Sequence, residues 1–337
     1  MAVPELPEVE TVVRDLARLV VGARIRRGAI HRERNLSTPD AATFATAIAG
    51  RRIVGARRRA KWIILDLDRG LALLIHLRMT GQVLVLRAGG APDPYVRATL
   101  ELADGREIRF RDVRAFGRLA LVAVREDGAP AASLDPHDRP LLEGHGAEPL
   151  DPAFDTAALR RLLGARRGRL KPLLLDQRLI AGIGNIYADE ALWRARLHPL
   201  SSPARLSPAQ WRALRTAIVR VLGDAVASRG ASIDDYTAPD GDGSMQEHLN
   251  VYQRTGEPCP RCGTAIRRIV VGGRGTHLCP RCQPAPRGAG RTARAVSVRR
   301  GPRWADRLHP DAAGATAAER AAARRRAARG GGSGAAA

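Results

Sequence analysis

The sequence predicts an α+β protein: an N-terminal β-sandwich with flanking helices, then a helical half that ends in a cysteine-bearing β-hairpin. Three observations predict it. Short apolar runs joined by tight turns occupy residues 23–124, the apolar period turns helical beyond residue 152, and two Cys-x-x-Cys pairs follow the last helix.

At the start, Pro7 stands where a proline best opens a helix, with Glu5, Glu8 and Glu10 near the positive end of its dipole. Val9, Val12, Val13, Leu16, Leu19 and Val20 form the apolar stripe, and Gly22 stops it. Ser37 to Ala49 reads as a short surface helix. Residues 61–67, 71–77 and 82–86 are short apolar runs, and 118–124 adds another. Residues 96–103 and 106–110 flank Asp104-Gly105, a strong hairpin signal. Such runs suit two facing sheets with the opening helix beside them, a domain at 4–125. Residues 126–152 are rich in Pro, Asp, Gly and His and lack a period, as an interdomain linker does. Helices are expected at 156–163, 171–177, 185–196 and 208–229 within a domain at 153–250. Ser207-Pro208-Ala209-Gln210 caps the last of them. The cysteine hairpin takes 251–284. Residues 285–337 hold 12 Arg against 3 acidic residues, with Ala and Gly runs. They are expected to be disordered, at most a sequence-independent arm attracting DNA.

A chain of 337 residues can bury two real cores. A formal charge of +22 and a pI near 11.4 point to a polyanionic partner, nucleic acid first. There is no long apolar run, and the N-terminus is acidic rather than signal-like, so a soluble intracellular protein with no membrane partner is expected. Paired cysteines suit a metal in a reducing compartment better than disulfides. The 54 Arg stand against two Lys, Lys61 and Lys171, the mark of a GC-rich gene. A lysine kept against that drift draws interest, because an ammonium can give up a proton and a guanidinium cannot.

Cys259, Cys262, Cys279 and Cys282, with sixteen residues between the pairs, fit a tetrahedral structural zinc site; no organic cofactor is called for. Between the pairs, residues 266–271 and 276–278 read as strands joined by Gly272-Gly273-Arg274-Gly275. Arg274 is then either a phosphate contact or an ordinary turn arginine. Gly182 and Gly184 would let backbone amides approach a phosphate where Asn185 opens a helix. Met79, Arg114 and Phe116 sit at loop-like strand ends. They are core residues or, alternatively, the types that fill a vacated base stack. A long polar loop from Gly230 to Val251 suits a lid. Pro4, if it began the chain, would carry a secondary amine one residue from the Glu5 carboxyl. Such an amine can attack an electrophilic sugar carbon and form an iminium.

Taken together, Pro4-Glu5-Leu6-Pro7-Glu8-Val9-Glu10, the segments 76–81, 112–117 and 171–190, and Gly272-Gly273-Arg274-Gly275-Thr276 resemble the formamidopyrimidine-DNA glycosylase/endonuclease VIII family. The resemblance runs from Pro4 to about Gln283. It implies a helix–two-turns–helix domain at 153–250 with a lesion-recognition loop, and a monomer acting on damaged double-stranded DNA in the bacterial cytoplasm. The implied activity is base-excision repair: an oxidised purine such as 8-oxoguanine or a formamidopyrimidine is released, then the abasic site is cut by β,δ-elimination. An oxidised-pyrimidine enzyme is the first alternative, and a non-catalytic binder of damaged DNA the second. The implied catalytic set is Pro4 as nucleophile, Glu5, Lys61 and Arg274. The implied DNA contacts are Met79, Arg114 and Phe116 as a void-filling wedge, with Lys171 and Asn185 near phosphates. Arg166 stands where the family has a DNA-binding lysine, and Tyr95 where many relatives have a DNA-contacting histidine. Met1-Ala2-Val3 precedes Pro4, so translation is expected to start at the Val3 codon, with the initiator removed before proline.

Overall fold

The computed structural model describes residues 3–231, 241 and 243–286. The expected tail beyond residue 286, and residues 232–240 and 242 of the expected lid, lie outside them.

Helix α1 (Leu6–Val20) is followed by β1 (Ile25–Ile30), α2 (Ala41–Ile48), β2 (Ile53–Arg59), β3 (Trp62–Leu67), β4 (Leu71–His76), β5 (Gly81–Arg87), β6 (Val96–Leu102), β7 (Arg106–Asp112) and β8 (Arg118–Ala123). Two antiparallel four-stranded sheets result, ordered β1-β6-β7-β5 and β2-β3-β4-β8. Ile63, Leu65, Leu73, Ile75, Leu119 and Leu121 face Val83, Leu100, Ile108 and Phe110 of the other sheet, and the α1 stripe closes this core. The residues between them in sequence, Ile64, Leu74, Ala120 and Val122, pack against Leu142 on the opposite face. In that second sheet β3, β4 and β8 are covered on both sides, which is why they are nearly continuously apolar, whereas the arginine-rich β2 at its edge is half-buried and β6 and β7 alternate.

Two expectations change here. Residues 41–48 form a helix, but Phe44 and Ile48 are fully buried against Gly28 of β1, so α2 belongs to the core and not the surface. The aperiodic stretch 126–152 is a strap laid on the sheet: Val124 bridges Pro130, Ala131 bridges Pro140, and Ala147 bridges Ile180. Its order comes from isolated bridges beside the end of β8, within the strap itself and to residue 180, which no period reports.

The helical half contains α3 (Thr156–Leu163), α4 (Leu170–Leu175), α5 (Asn185–Arg194) and α6 (Pro208–Ala227). Ser207 and Gln210 form the expected capping box. The hairpin β9 (Arg267–Val271) and β10 (Arg274–Leu278) turns on Gly272 and Gly273, with φ of +56° and +73°, so Arg274 opens the second strand. Leu6 of α1 belongs to the helical core, not to the sandwich. Among the described residues no helix is long and apolar enough to cross a membrane.

Candidate active site and nucleic-acid interface

The N-terminal segment is gripped by the helical half. Leu6 N–H donates to Gly182 carbonyl at 3.0 Å. The Glu5 carboxylate accepts from the backbone N–H groups of Gly184 (2.7 Å), Ile186 (2.8 Å) and Tyr187 (3.4 Å). The free amides and dipole at the start of α5 do attract an anion. That anion is Glu5, where the sequence reading had set a phosphate. A Cβ on Gly184 would lie 2.3 Å from Glu5 Cδ, and one on Gly182 2.7 Å from Leu6. Both glycines therefore serve the close approach of the chain's own N-terminus.

Burial outweighs those donors and the nearby Lys61 charge, and raises the Glu5 pKa to about 7. Glu8, one turn on, is buried beside it and receives the Tyr187 hydroxyl, Ala231 N–H (2.8 Å) and Glu5 N–H (2.8 Å). Burial raises its pKa as well. Sequence reasoning treated Glu8 only as a dipole partner; its spacing of three from Glu5 was the signal of this pairing.

A cavity of about 810 Å³ opens on Glu5. Among the described residues, Lys61, Arg78, Arg118, Arg268 and Arg274 line it against Glu5 as the one carboxylate, a lining suited to a polyanion. Val3 lines it too, while Pro4 itself is buried. Lys61 follows the turn between β2 and β3, where Ala60 adopts a φ of +54°. Burial lowers its pKa, opposed by Glu5 and Glu8. The Ala60 N–H donates to Glu148 of the strap at 2.6 Å, and both Arg58 and Arg59 pair with that carboxylate, so three groups fix the turn. His76, which the sequence reading passed over, also lines the cavity. Burial and the Arg78 charge push its pKa down to about 3, and Nδ1 accepts from Arg78 N–H at 3.0 Å. The ring is thus neutral with its proton on Nε2, a hydrogen-bond donor for an anion.

Met79 and Phe116 line the same cavity. Their loops are tied together by Asp112, fully buried, which takes Thr80 Oγ1–H and Gly117 N–H, while Thr80 Oγ1 accepts from Arg114 N–H. Arg114 stacks 4.8 Å over the Phe116 ring, itself 40% exposed. Arg78 and Ala115 hold φ of +55° and +53°, left-handed backbone in each loop. Tyr95 is exposed between the guanidinium groups of Arg111 (5.2 Å) and Arg97 (5.9 Å), away from the cavity. Arg166 is exposed after α3.

Lys171 is not at a phosphate-facing surface. Its ammonium is fully buried and donates to Asp189 (2.6 Å), Thr276 Oγ1 (2.8 Å) and Gly275 carbonyl (3.1 Å), tying α4 and α5 to the hairpin that carries Arg274. Asn185 reaches the cavity, but one amide N–H is spent on Gly275 carbonyl at 3.0 Å. Glu190 holds the C-terminal end of the expected lid through the N–H groups of Asn250, Val251 and Tyr252.

The four cysteine sulfurs lie within 4.8 Å of one another, with separations of 3.5 and 4.0 Å between neighbours. A tetrahedron with metal–sulfur bonds near 2.3 Å sets its sulfurs about 3.8 Å apart, so the donors fit one zinc ion.

Three family profiles match the chain: the formamidopyrimidine-DNA glycosylase N-terminal domain over residues 3–119, its H2TH domain over 145–237, and a zinc finger found in FPG and IleRS over 256–285. A formamidopyrimidine-DNA glycosylase of Roseiflexus sp. is 47% identical over 282 residues, 83% of this chain and 99% of the relative. That of Chloroflexus aggregans is 48% identical over 281 residues, 83% and 98%. Among solved structures, Lactococcus lactis Fpg with abasic-site DNA superposes with a TM-score of 0.76 at 35% identity, covering 83% of this chain and all of that one. The wild-type L. lactis enzyme with N7-benzyl-Fapy-dG DNA gives 0.76 at 35% identity, over 84% of this chain and all of the other.

Proposed function

The chain belongs to the formamidopyrimidine-DNA glycosylase family, and from that premise we propose how its own residues carry out the excision. It is a base-excision repair glycosylase for oxidised purines, with abasic-site lyase activity. We read residues 4–125 as the catalytic sandwich, 153–250 as the helix–two-turns–helix domain and 251–284 as the finger. In this reading a monomer acts on damaged duplex DNA in the bacterial cytoplasm. The four cysteines hold one structural zinc, which keeps the hairpin folded and takes no part in bond breaking.

Met79, Arg114 and Phe116 fill the space left by the flipped nucleotide, while Lys61, His76 and Asn185 donate to flanking phosphates. Pro4, as a free imino terminus, attacks C1′ with its lone pair. The bond from C1′ to the base breaks and its electrons leave with the base, and Glu5 delivers the proton that the base or ring oxygen needs. The proline nitrogen then loses its proton, and its lone pair expels O4′, which takes up a proton as the sugar ring opens to an iminium. The iminium acidifies C2′, and loss of a C2′ proton expels the 3′ phosphate. A second elimination expels the 5′ phosphate, assisted by Lys61 and Arg274.

The observation that supports this most is Glu5, adjacent to Pro4, held by three backbone donors in a cationic cavity at a pKa near 7. Borohydride trapping on abasic duplex tests it. A chain verified to begin at Pro4 should become covalently joined to DNA, and one beginning at Met1 or Ala2 should not. Absence of cross-linking by the Pro4 chain would leave a damaged-DNA binder in place of an enzyme.

A further inference from the structure

The finger is seated on α5 by a side chain that the excision chemistry does not use. Trp193, one residue before the end of that helix, is 7% exposed and packs with Val251, Ile266 and Cys279. Its indole Nε1–H donates to Cys259 Sγ at 3.4 Å. Arg261, inside the first Cys-x-x-Cys turn, places its guanidinium 4.1 Å over the indole face and donates to the Trp193 and Arg194 carbonyls at 3.0 and 3.5 Å. Those carbonyls close α5, where the dipole favours a cation. Both polar features of the indole are thus used: the N–H meets a sulfur and the π-face meets a charge.

Four thiolates around one divalent ion carry net negative charge, so an N–H aimed at one of them stabilises the bound form and fixes that ligand's orientation. Cys259 and Cys279 are buried, whereas Cys262 and Cys282 are partly exposed, so reagents reach the site from the latter side. We propose that Trp193 and Arg261 lock the zinc site: the indole N–H holds the Cys259 thiolate on the metal, and Arg261 fastens that contact to the end of α5. The pair then sets how fast zinc leaves, and it joins the metal to the helix whose other end holds Glu5. This stands on the finger alone and does not depend on the excision reading.

The test is zinc release from the full chain into excess colorimetric chelator. Trp193→Phe removes the N–H and keeps an aromatic ring; it should purify with one zinc and release it roughly tenfold faster or more, the scale for partners of metal ligands. Arg261→Gln should also speed release, by several-fold. The emission difference between parent and Trp193→Phe should change when zinc is stripped. Release at the parental rate in either variant, or an emission difference indifferent to zinc, overturns the lock. If Trp193→Phe does not fold, the Arg261→Gln rate decides alone.

Discussion

Three backbone donors ordinarily pull a carboxyl far down, yet Glu5 titrates near 7 because burial costs its charged form more than the helix terminus returns. An acid with that pKa is protonated in useful amount at neutral pH. Excision kcat/KM should therefore fall about tenfold per pH unit above 7, and this limb should be missing from the low residual activity of Glu5→Gln. A folded pKa above the unfolded value of 4.5 also means that stability is lost as pH rises from about 4.5 to 7. Urea unfolding at pH 5 and pH 7.5 should show less of this loss in Glu5→Gln. An equal loss in both proteins would mean that Glu5 is not the shifted group. The sequence revealed this residue and its neighbour Pro4, but not its pKa, which depends on amides contributed from 179 or more positions away.

Helix α5 is the element on which the site is assembled. Its N-terminus holds Glu5, Asp189 holds Lys171 and the His277 N–H, Glu190 holds residues 250–252, and Trp193 holds the finger. Its limits were legible from the glycines before it and the apolar spacing within it. The duties of its polar residues were not, because the lysine expected near phosphates is buried as the partner of Asp189. Lys171→Met should destabilise the protein by about 3–5 kcal/mol, since the buried Asp189 charge loses its lysine partner and is left with its His277 contacts. The double variant with Asp189→Leu should recover much of that loss in denaturant melts. A surface phosphate ligand would instead leave stability within about 0.5 kcal/mol and weaken only DNA binding.

At the scale of the molecule, the two halves are joined by the N-terminal segment and by the strap. Glu148 accepts Arg58, Arg59 and the Ala60 amide, so the strap holds the turn that presents Lys61. Glu148→Gln should cost about 1–3 kcal/mol, as a charged acceptor lost to partly buried donors does. It should also slow strand cleavage more than it weakens duplex binding. Equal effects on both would place Glu148 in general folding only. The strap was unreadable as structure because its order comes from single hydrogen bonds to the end of β8, one bridge within itself and one to residue 180, with no internal repeat.

The sequence by itself determined most of the elements, though not β1 and β2, together with the zinc ligands and the family, because periodicity, turn residues and ligand spacing act over a few positions. Only the tertiary structure decided which anion occupies the start of α5, which lysine is buried, and which imidazole stays neutral. A helix terminus attracts a phosphate and a carboxylate by the same charge. The choice between them rests on which group the fold brings within hydrogen-bonding distance.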